Sequence, residues 1–186
     1  MISSNAVTAT QKTPAIKLEK PDSTTGWQVH QLIQQSPPLD TNSVYCNLLQ
    51  CSHFANTSVA AWQGEQLVGF ISGYIPPEKA DCLFIWQVAV SPAARRQRLA
   101  SKMLQHILQR PTCANVTFLE TTITADNKAS WALFESLARS LNAATTTDVL
   151  FDKTQHFNGQ HDSEHLLRIG PFQPMQLSDD KHPESI

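Results

Sequence analysis

The stretch from residue 82 to residue 108 constrains this chain more than any other. Cys82–Val90 is a near-continuous apolar run interrupted only by Gln87. Strict alternation would mark a strand with one wet face; a run of this kind marks a strand buried on both. Ser91-Pro92 stops it, and Arg95-Arg96-Gln97-Arg98 makes a basic turn. A helix is expected over roughly Arg96–Gln109, with Leu99, Met103, Leu104, Ile107 and Leu108 on one stripe. A buried strand feeding straight into an amphipathic helix requires a sheet with helical layers, an α/β domain.

The rest of the chain fits that frame. Ala15–Glu19 alternates as a short strand, and Pro21-Asp22-Ser23 is a stop followed by a helix-cap signal. Trp27, Val29, Leu32 and Ile33 give a helical stripe that Ser36-Pro37-Pro38 ends. Asn42 or Ser43 can cap a second helix, with Val44, Tyr45, Leu48 and Leu49 expected inward. Thr57–Gln63 and Gln66–Ile75 read as a hairpin turning at Gly64-Glu65. Asn115–Thr122 is a strand, and Asp126 or Asn127 caps a helix to about Leu141 with Ala129, Leu133, Phe134 and Leu137 inward. Thr146–Phe151 and Glu164–Ile169 are the last strands. The order is β-α-α-β-β-β-α-β-α-β-β. Residues 1–14 and 173–186 lack periodicity and read as flexible tails around one domain at 15–172.

Composition narrows the function. The 186 residues carry 14 basic and 16 acidic side chains, a net charge of −2, which argues against a nucleic-acid binder. No apolar run approaches the roughly 20 residues that span a membrane, and the first 20 residues hold no secretory signal. The cysteines at 46, 51, 82 and 113 form no CxxC pair and read as reduced thiols of a cytoplasmic protein. There is no Gly-x-Ser-x-Gly elbow, phosphate-loop lysine or dinucleotide fingerprint.

Three clusters could carry chemistry. The helix start beside Arg95, Arg96 and Arg98 offers unpaired N–H groups and positive charge, either for a phosphate or diphosphate or as a plain solvated helix start. Asp40, Tyr45, Trp86 and Glu164 supply carboxylates and aromatic faces suited to a small diamine, although each also has a structural role open to it as cap, core or solvated group. His161 and His165 have a metal-ligand spacing if helical, but the flanking Leu166–Ile169 reads as a strand, and no metal is expected.

The segment WQVAVSPAARRQRLASKML at 86–104 resembles the acetyl-CoA-binding signature of the GNAT acetyltransferases, Arg/Gln-x-x-Gly-x-Gly/Ala opening a helix. The segments PPLDTNSVYCNLLQCSHFANT (37–57), ISGYIPPEKADCLFIWQVAV (71–90), LETTITADNKASWALFESLA (119–138) and HDSEHLLRIGPF (161–172) resemble, in one collinear run over about 15–172, the diaminobutyrate acetyltransferases of the ectoine pathway. The resemblance implies a mostly antiparallel sheet of about seven strands with about four helices. It implies acetyl transfer from acetyl-CoA to the 4-amino group of L-2,4-diaminobutyrate by a homodimer. An acetyltransferase of another small amine, or a non-catalytic CoA-fold module, is the alternative.

The same resemblance distributes roles. Val88, Val90, Arg95, Arg98, Leu99, Ala100 and Ser101 would hold acetyl-CoA, with Asn127 contacting its arm. Asp40, Tyr45, Trp86, His161 and Glu164 would form the substrate site, Asp40 and Glu164 binding the ammonium groups. The base would be Glu164 or His161. Phe134 stands where many GNAT enzymes have a tyrosine acid, leaving Tyr45 as the replacement. Arg96 and Arg98 stand where the pattern has glycine, and Asp162 where the relatives often have glutamate.

Overall fold

The computed structural model describes residues 14–175, so nearly all of both expected tails lies outside the described residues. Seven strands form one sheet: β1 (Ile16–Glu19), β2 (Val59–Gln63), β3 (Gln66–Tyr74), β4 (Cys82–Val90), β5 (Phe118–Thr124), β6 (Thr145–Phe151) and β7 (Glu164–Ile169). Their order across the sheet is β1-β2-β3-β4-β5-β7-β6, antiparallel throughout except for β4 with β5. The helices are α1 (Gly26–Gln34), α2 (Val44–Ser52), α3 (Leu99–Leu108) and α4 (Lys128–Ser140). The α/β class and the element order are those expected from the sequence.

Successive residues on the inner strands serve opposite layers, except where β3 carries an extra residue at Val68 and β4 one at Trp86. Val68, Ile71, Leu83, Ile85, Leu119 and Ile123 join α3 and α4 in the larger core. Ala60, Leu67, Phe70 and Ala89 pack with Val29, Leu32 and Ile33 of α1 and Cys51 of α2 in the smaller one. Of the two capping options for each helix, the structure uses Ser43 for α2 and Asn127 for α4, each side-chain oxygen accepting from a backbone N–H at 3.1 Å.

The alternation breaks once in β4. Ile85 pairs with Gly73 and Gln87 with Ser72, so Trp86 is an extra residue, a β-bulge. Before it Leu83 and Ile85 face α3 and α4; after it Val88 and Val90 do, while Ala89 faces α1 and α2. The bulge corrects the expectation of a strand buried along its whole length: Trp86 is 45% exposed.

Other corrections have local causes. On α2 the buried positions are Asn47, Gln50 and Cys51, and Tyr45 is 69% exposed, because the helix turns a hydrogen-bonded polar stripe inward (His30 with Asn47, Asn47 to Gln50). Ala129, expected inward on α4, is exposed. Helix α3 starts at Leu99 because Arg96 (φ 61°) and Arg98 (φ 55°) take left-handed backbone. Ala55–Thr57 is a 3-10 turn, which delays β2 to Val59.

On β5 a carboxylate is buried between cations. Glu120 is 3% exposed. Lys79 Nζ lies 3.0 and 2.9 Å from its two oxygens, and Arg168 donates to it while its guanidinium sits 3.9 Å above the Phe118 ring.

Candidate active site

The site begins where two parallel strands part. β4 and β5 pair only from Cys82↔Phe118 to Ile85↔Thr121, although β4 runs on to Val90 and β5 to Thr124. The splay leaves a cleft of about 820 Å³ that passes between the strands. Asn127, Ser130 and Phe134 line it from the α4 side, and Asp40, Trp86, His161 and Glu164 from the other.

The register fixes what β4 offers to the gap. Ser91 N donates to Val68 O at 2.9 Å, and Gly69↔Val90 and Ile71↔Val88 are partners. In an antiparallel pair, residues that exchange both bonds alternate with residues that exchange none. Ala89 therefore bonds to β3, and Val88 and Val90 turn their N–H and C=O groups toward the splay. Arg95 Nε meets the Val90 carbonyl there at 3.3 Å. These amides are donors with no strand to receive them.

Beyond Val90 the chain reaches the start of α3. Lys102 N donates to Arg98 O at 3.1 Å, so the N–H groups of Leu99, Ala100 and Ser101 precede the first helical bond, and Arg98 makes no side-chain cap. The side chains of Arg95, Arg96 and Arg98 are exposed around this end. A glycine would adopt the turn's left-handed backbone without strain; two arginines hold it here. These residues do not line the cleft itself but continue its β4 wall. A smaller hollow of about 380 Å³ on the other side of α3, beside β1, includes Leu99 and Lys102 and no carboxylate.

The lining of the cleft is acidic. Asp40, Asp126, Asp162 and Glu164 line the cleft against Lys128 alone among the lysines and arginines. His161 sits on the connection between β6 and β7, which Asp152 ties by accepting from Thr154 N (2.8 Å) and Gln155 N (2.9 Å), and which the Lys153–Asp162 pair braces at 2.8 Å. Its ring lies 4.7 Å from that of Phe157. Nδ1 is 2.7 Å from the Asp162 carbonyl, an acceptor, so Nδ1 carries the hydrogen and neutral His161 presents a lone pair at Nε2. Nε2 faces Asp40 Oδ2 at 3.6 Å. The bond to the Asp162 carbonyl, with the nearby charges of Asp40, Glu164 and Asp162, raises the His161 pKa above its usual value despite partial desolvation. Trp86 packs its ring 6.4 Å from Phe54 and presents its exposed part to the cleft.

Of the residues singled out in the sequence, Asp40, Trp86, Val88, Asn127, His161 and Glu164 line one cleft. Tyr45 does not; it stands in solvent on α2. Asn127 spends its side-chain oxygen on capping α4. His165 lies opposite Ile123 on the α3–α4 face, one residue along the strand from Glu164, so the His-x3-His spacing does not converge. Among the described residues no group of three or more His, Cys, Asp or Glu could hold a metal, and no helix is long and apolar enough to cross a membrane. Gln87, which the sequence marks only as a break in the strand, and Asn42, which it marks only as a candidate helix cap, also line the cleft. The signal for Gln87 was present: it is the one polar residue in β4.

A splayed parallel pair, an amide-rich strand edge and an open helix start define an acyl-CoA-dependent acyltransferase fold, and residues 22–138 match the acetyltransferase (GNAT) family. The chain belongs to that family. It is 55% identical over 163 residues to the L-2,4-diaminobutyric acid acetyltransferase of Methylotuvimicrobium alcaliphilum, covering 88% of this chain and 95% of that protein. Against the enzyme of the same name from Vibrio cholerae it is 50% identical over 159 residues, 86% of this chain and 90% of that one. Among solved structures, the diaminobutyrate acetyltransferase of Paenibacillus lautus, in complex with its substrate L-2,4-diaminobutyric acid and coenzyme A, superposes with a TM-score of 0.82. That pair shares 35% identity over 87% of this chain and 97% of the other.

Proposed function

We propose that this protein transfers the acetyl group of acetyl-CoA to the 4-amino group of L-2,4-diaminobutyrate, giving N4-acetyl-L-2,4-diaminobutyrate for ectoine synthesis. One observation carries the reading: the cleft between β4 and β5 joins an amide-lined cofactor wall to an acidic, Trp-walled pocket on the other face of the sheet. Relatives of the same name at 40–55% identity support it.

The roles follow from charge and geometry. The N–H groups of Leu99, Ala100 and Ser101, with Arg95 and Arg98 around them, receive the diphosphate. Val88 and Val90 pair with the pantetheine arm and its thioester, and Asn127 meets the arm from α4. Asp40 and Glu164 hold the ammonium groups, and Trp86 forms the wall. An alkyl ammonium with a pKa of about 10 must lose a proton before it attacks. The lone pair at His161 Nε2 accepts it, with Glu164 as the second acceptor in reach of the same cleft. The amine nitrogen then bonds to the thioester carbon, and the Val88 amide stabilises the oxyanion, a contribution of about 3 kcal/mol for one such donor. The C–S bond breaks to release a thiolate, a weak enough base to leave without a dedicated acid, and the attacking nitrogen gives up its remaining extra proton to that thiolate or to water, so that the neutral amide and the free thiol result. Phe134 in the cleft and Tyr45 outside it fit such a departure.

The protein works as a cytoplasmic homodimer in cells that accumulate solute under osmotic stress. The exposed Val149, Leu150 and Phe151 on the edge strand β6 are in keeping with a covering second copy. Thiol release from acetyl-CoA, followed with diaminobutyrate, ornithine and lysine in parallel, tests the activity. Diaminobutyrate turns over fastest and yields a singly acetylated product at N4. Equal rates with all three would leave only a general amine acetyltransferase.

A further inference from the structure

The bulge at Trp86 does more than expose an indole. An extra residue in one strand lets two consecutive side chains project on the same face. Trp86 and Gln87 both point to the α1–α2 side, and Gln87 meets the loop that joins those two helices. Its Nε2 donates to the Asp40 backbone carbonyl at 3.1 Å, and its Oε1 accepts from Asn42 Nδ2 at 3.0 Å.

Gln87 is 9% exposed, and an amide in such a place is costly unless paired. Each of its polar ends is engaged by the loop, one by residue 40 and the other by residue 42. The Asp40 side chain is itself 86% exposed and, besides the approach of His161 at 3.6 Å, receives no other ion-pair partner among the described residues. The backbone beneath that carboxylate is thus set by the Gln87 amide.

Resting on the reading of Asp40 as an ammonium ligand, we propose that Gln87 is a positioning residue: its side-chain amide clamps the α1–α2 loop at Asp40 and Asn42 and so sets the distance from the Asp40 carboxylate to the Trp86 wall. It selects for the spacing of the two amino groups without touching them.

Steady-state kinetics of the full chain test this. Gln87→Ala raises KM for diaminobutyrate about tenfold, the equivalent of about 1.4 kcal/mol, while KM for acetyl-CoA stays within about twofold. Asn42→Ala, which removes one half of the clamp from a more exposed position, raises the same KM by about threefold and serves if Gln87→Ala does not fold. In an Asp40→Ala background, Gln87→Ala adds nothing further to KM, because it acts through a carboxylate that is gone. Additive losses in that double variant, or single variants with unchanged KM for the diamine, would overturn the proposal. A wild-type chain that fails to acetylate diaminobutyrate while acetylating another amine would instead remove the reading beneath it.

Discussion

The imidazole Nε2 of His161 stands 3.6 Å from the Asp40 carboxylate, joining the β6–β7 connection to the α1–α2 loop across the mouth of the cleft. The pair has a consequence for pH. His161 titrates above 6.5, held up first by its bond to the Asp162 carbonyl and then by Asp40 and Glu164. In its proposed role as proton acceptor it must be neutral, so kcat/KM for the diamine climbs with pH through a limb above that value. Asp40→Asn removes one of the charges favouring the imidazolium and moves the limb toward lower pH. A pH–rate profile that stays in place would disconnect the two residues. Stability runs the other way: a raised folded pKa favours the folded state fully below about pH 6.5, and that contribution fades as pH rises through the folded value.

How far these features could be read in advance differs from residue to residue. The existence and order of the strand, turn and helix at 82–108 are local signals, as is a cap at Ser43 and at Asn127, each one of two residues offered, and the chain follows them. The bulge at Trp86 is not local: it exists because β4 pairs with β3 in two registers, and a continuous apolar run hides the break. The inward face of α2 departs from its apolar pattern for a related reason, since Asn47 and Gln50 are buried through bonds made with each other and with α1. The start of α3 shifted because the turn's shape, normally glycine's, is imposed on Arg96 and Arg98 by the elements on either side.

That imposed turn carries the next expectation. A non-glycine residue in left-handed backbone costs on the order of 1 kcal/mol or more. Arg98→Gly relieves the strain and stabilises the protein by about 1 kcal/mol, less a part lost to the looser unfolded chain. Calorimetry then finds a melting temperature higher by about 2–4 °C. A lower one would mean that the Arg98 side chain contributes more than its backbone costs.

Phe134 in the cleft allows a sharper test of thiolate departure. Phe134→Tyr restores the hydroxyl that many GNAT enzymes carry at this position. On the proposal that the thiolate leaves unaided, kcat changes by no more than about twofold at neutral pH. A tenfold gain would show that protonation of the leaving group limits the present enzyme.

Asn127 both caps α4 and lines the cleft proposed to take the cofactor. Its side-chain oxygen accepts from Ser130 N at 3.1 Å, which leaves its amide for the cleft it also lines. Asn127→Ala destabilises by about 1 kcal/mol through the lost cap. Asn127→Asp keeps the cap but exchanges the amide donors for a negative charge, so it leaves the melting temperature nearly unchanged and raises KM for acetyl-CoA. Identical effects from the two substitutions would mean that the residue serves the helix alone.

Glu120 makes the sheet acid-sensitive away from the chemistry. Burial opposes its ionisation, but hydrogen bonds from Lys79 and Arg168 and their charges outweigh this and hold its pKa below 4.5. A depressed folded pKa means that the pairing stabilises fully above the unfolded value and is lost as pH falls through the folded one. Lys79 and Arg168 reach β5 from the β3–β4 loop and from β7, so the same carboxylate ties the parallel pair on the closed side of the splay. Arg168→Ala removes one partner of a buried charge and costs about 3 kcal/mol, the low end for such a break because Lys79 remains. Glu120→Gln keeps the shape and removes this one titration: its melting temperature falls less steeply with pH below 4.5 than that of the wild type, the remaining slope coming from Asp22, Asp152 and Asp162, whose carboxyls are also held below their ordinary values. If both proteins trace parallel curves of melting temperature against pH, the acid sensitivity originates elsewhere in the chain.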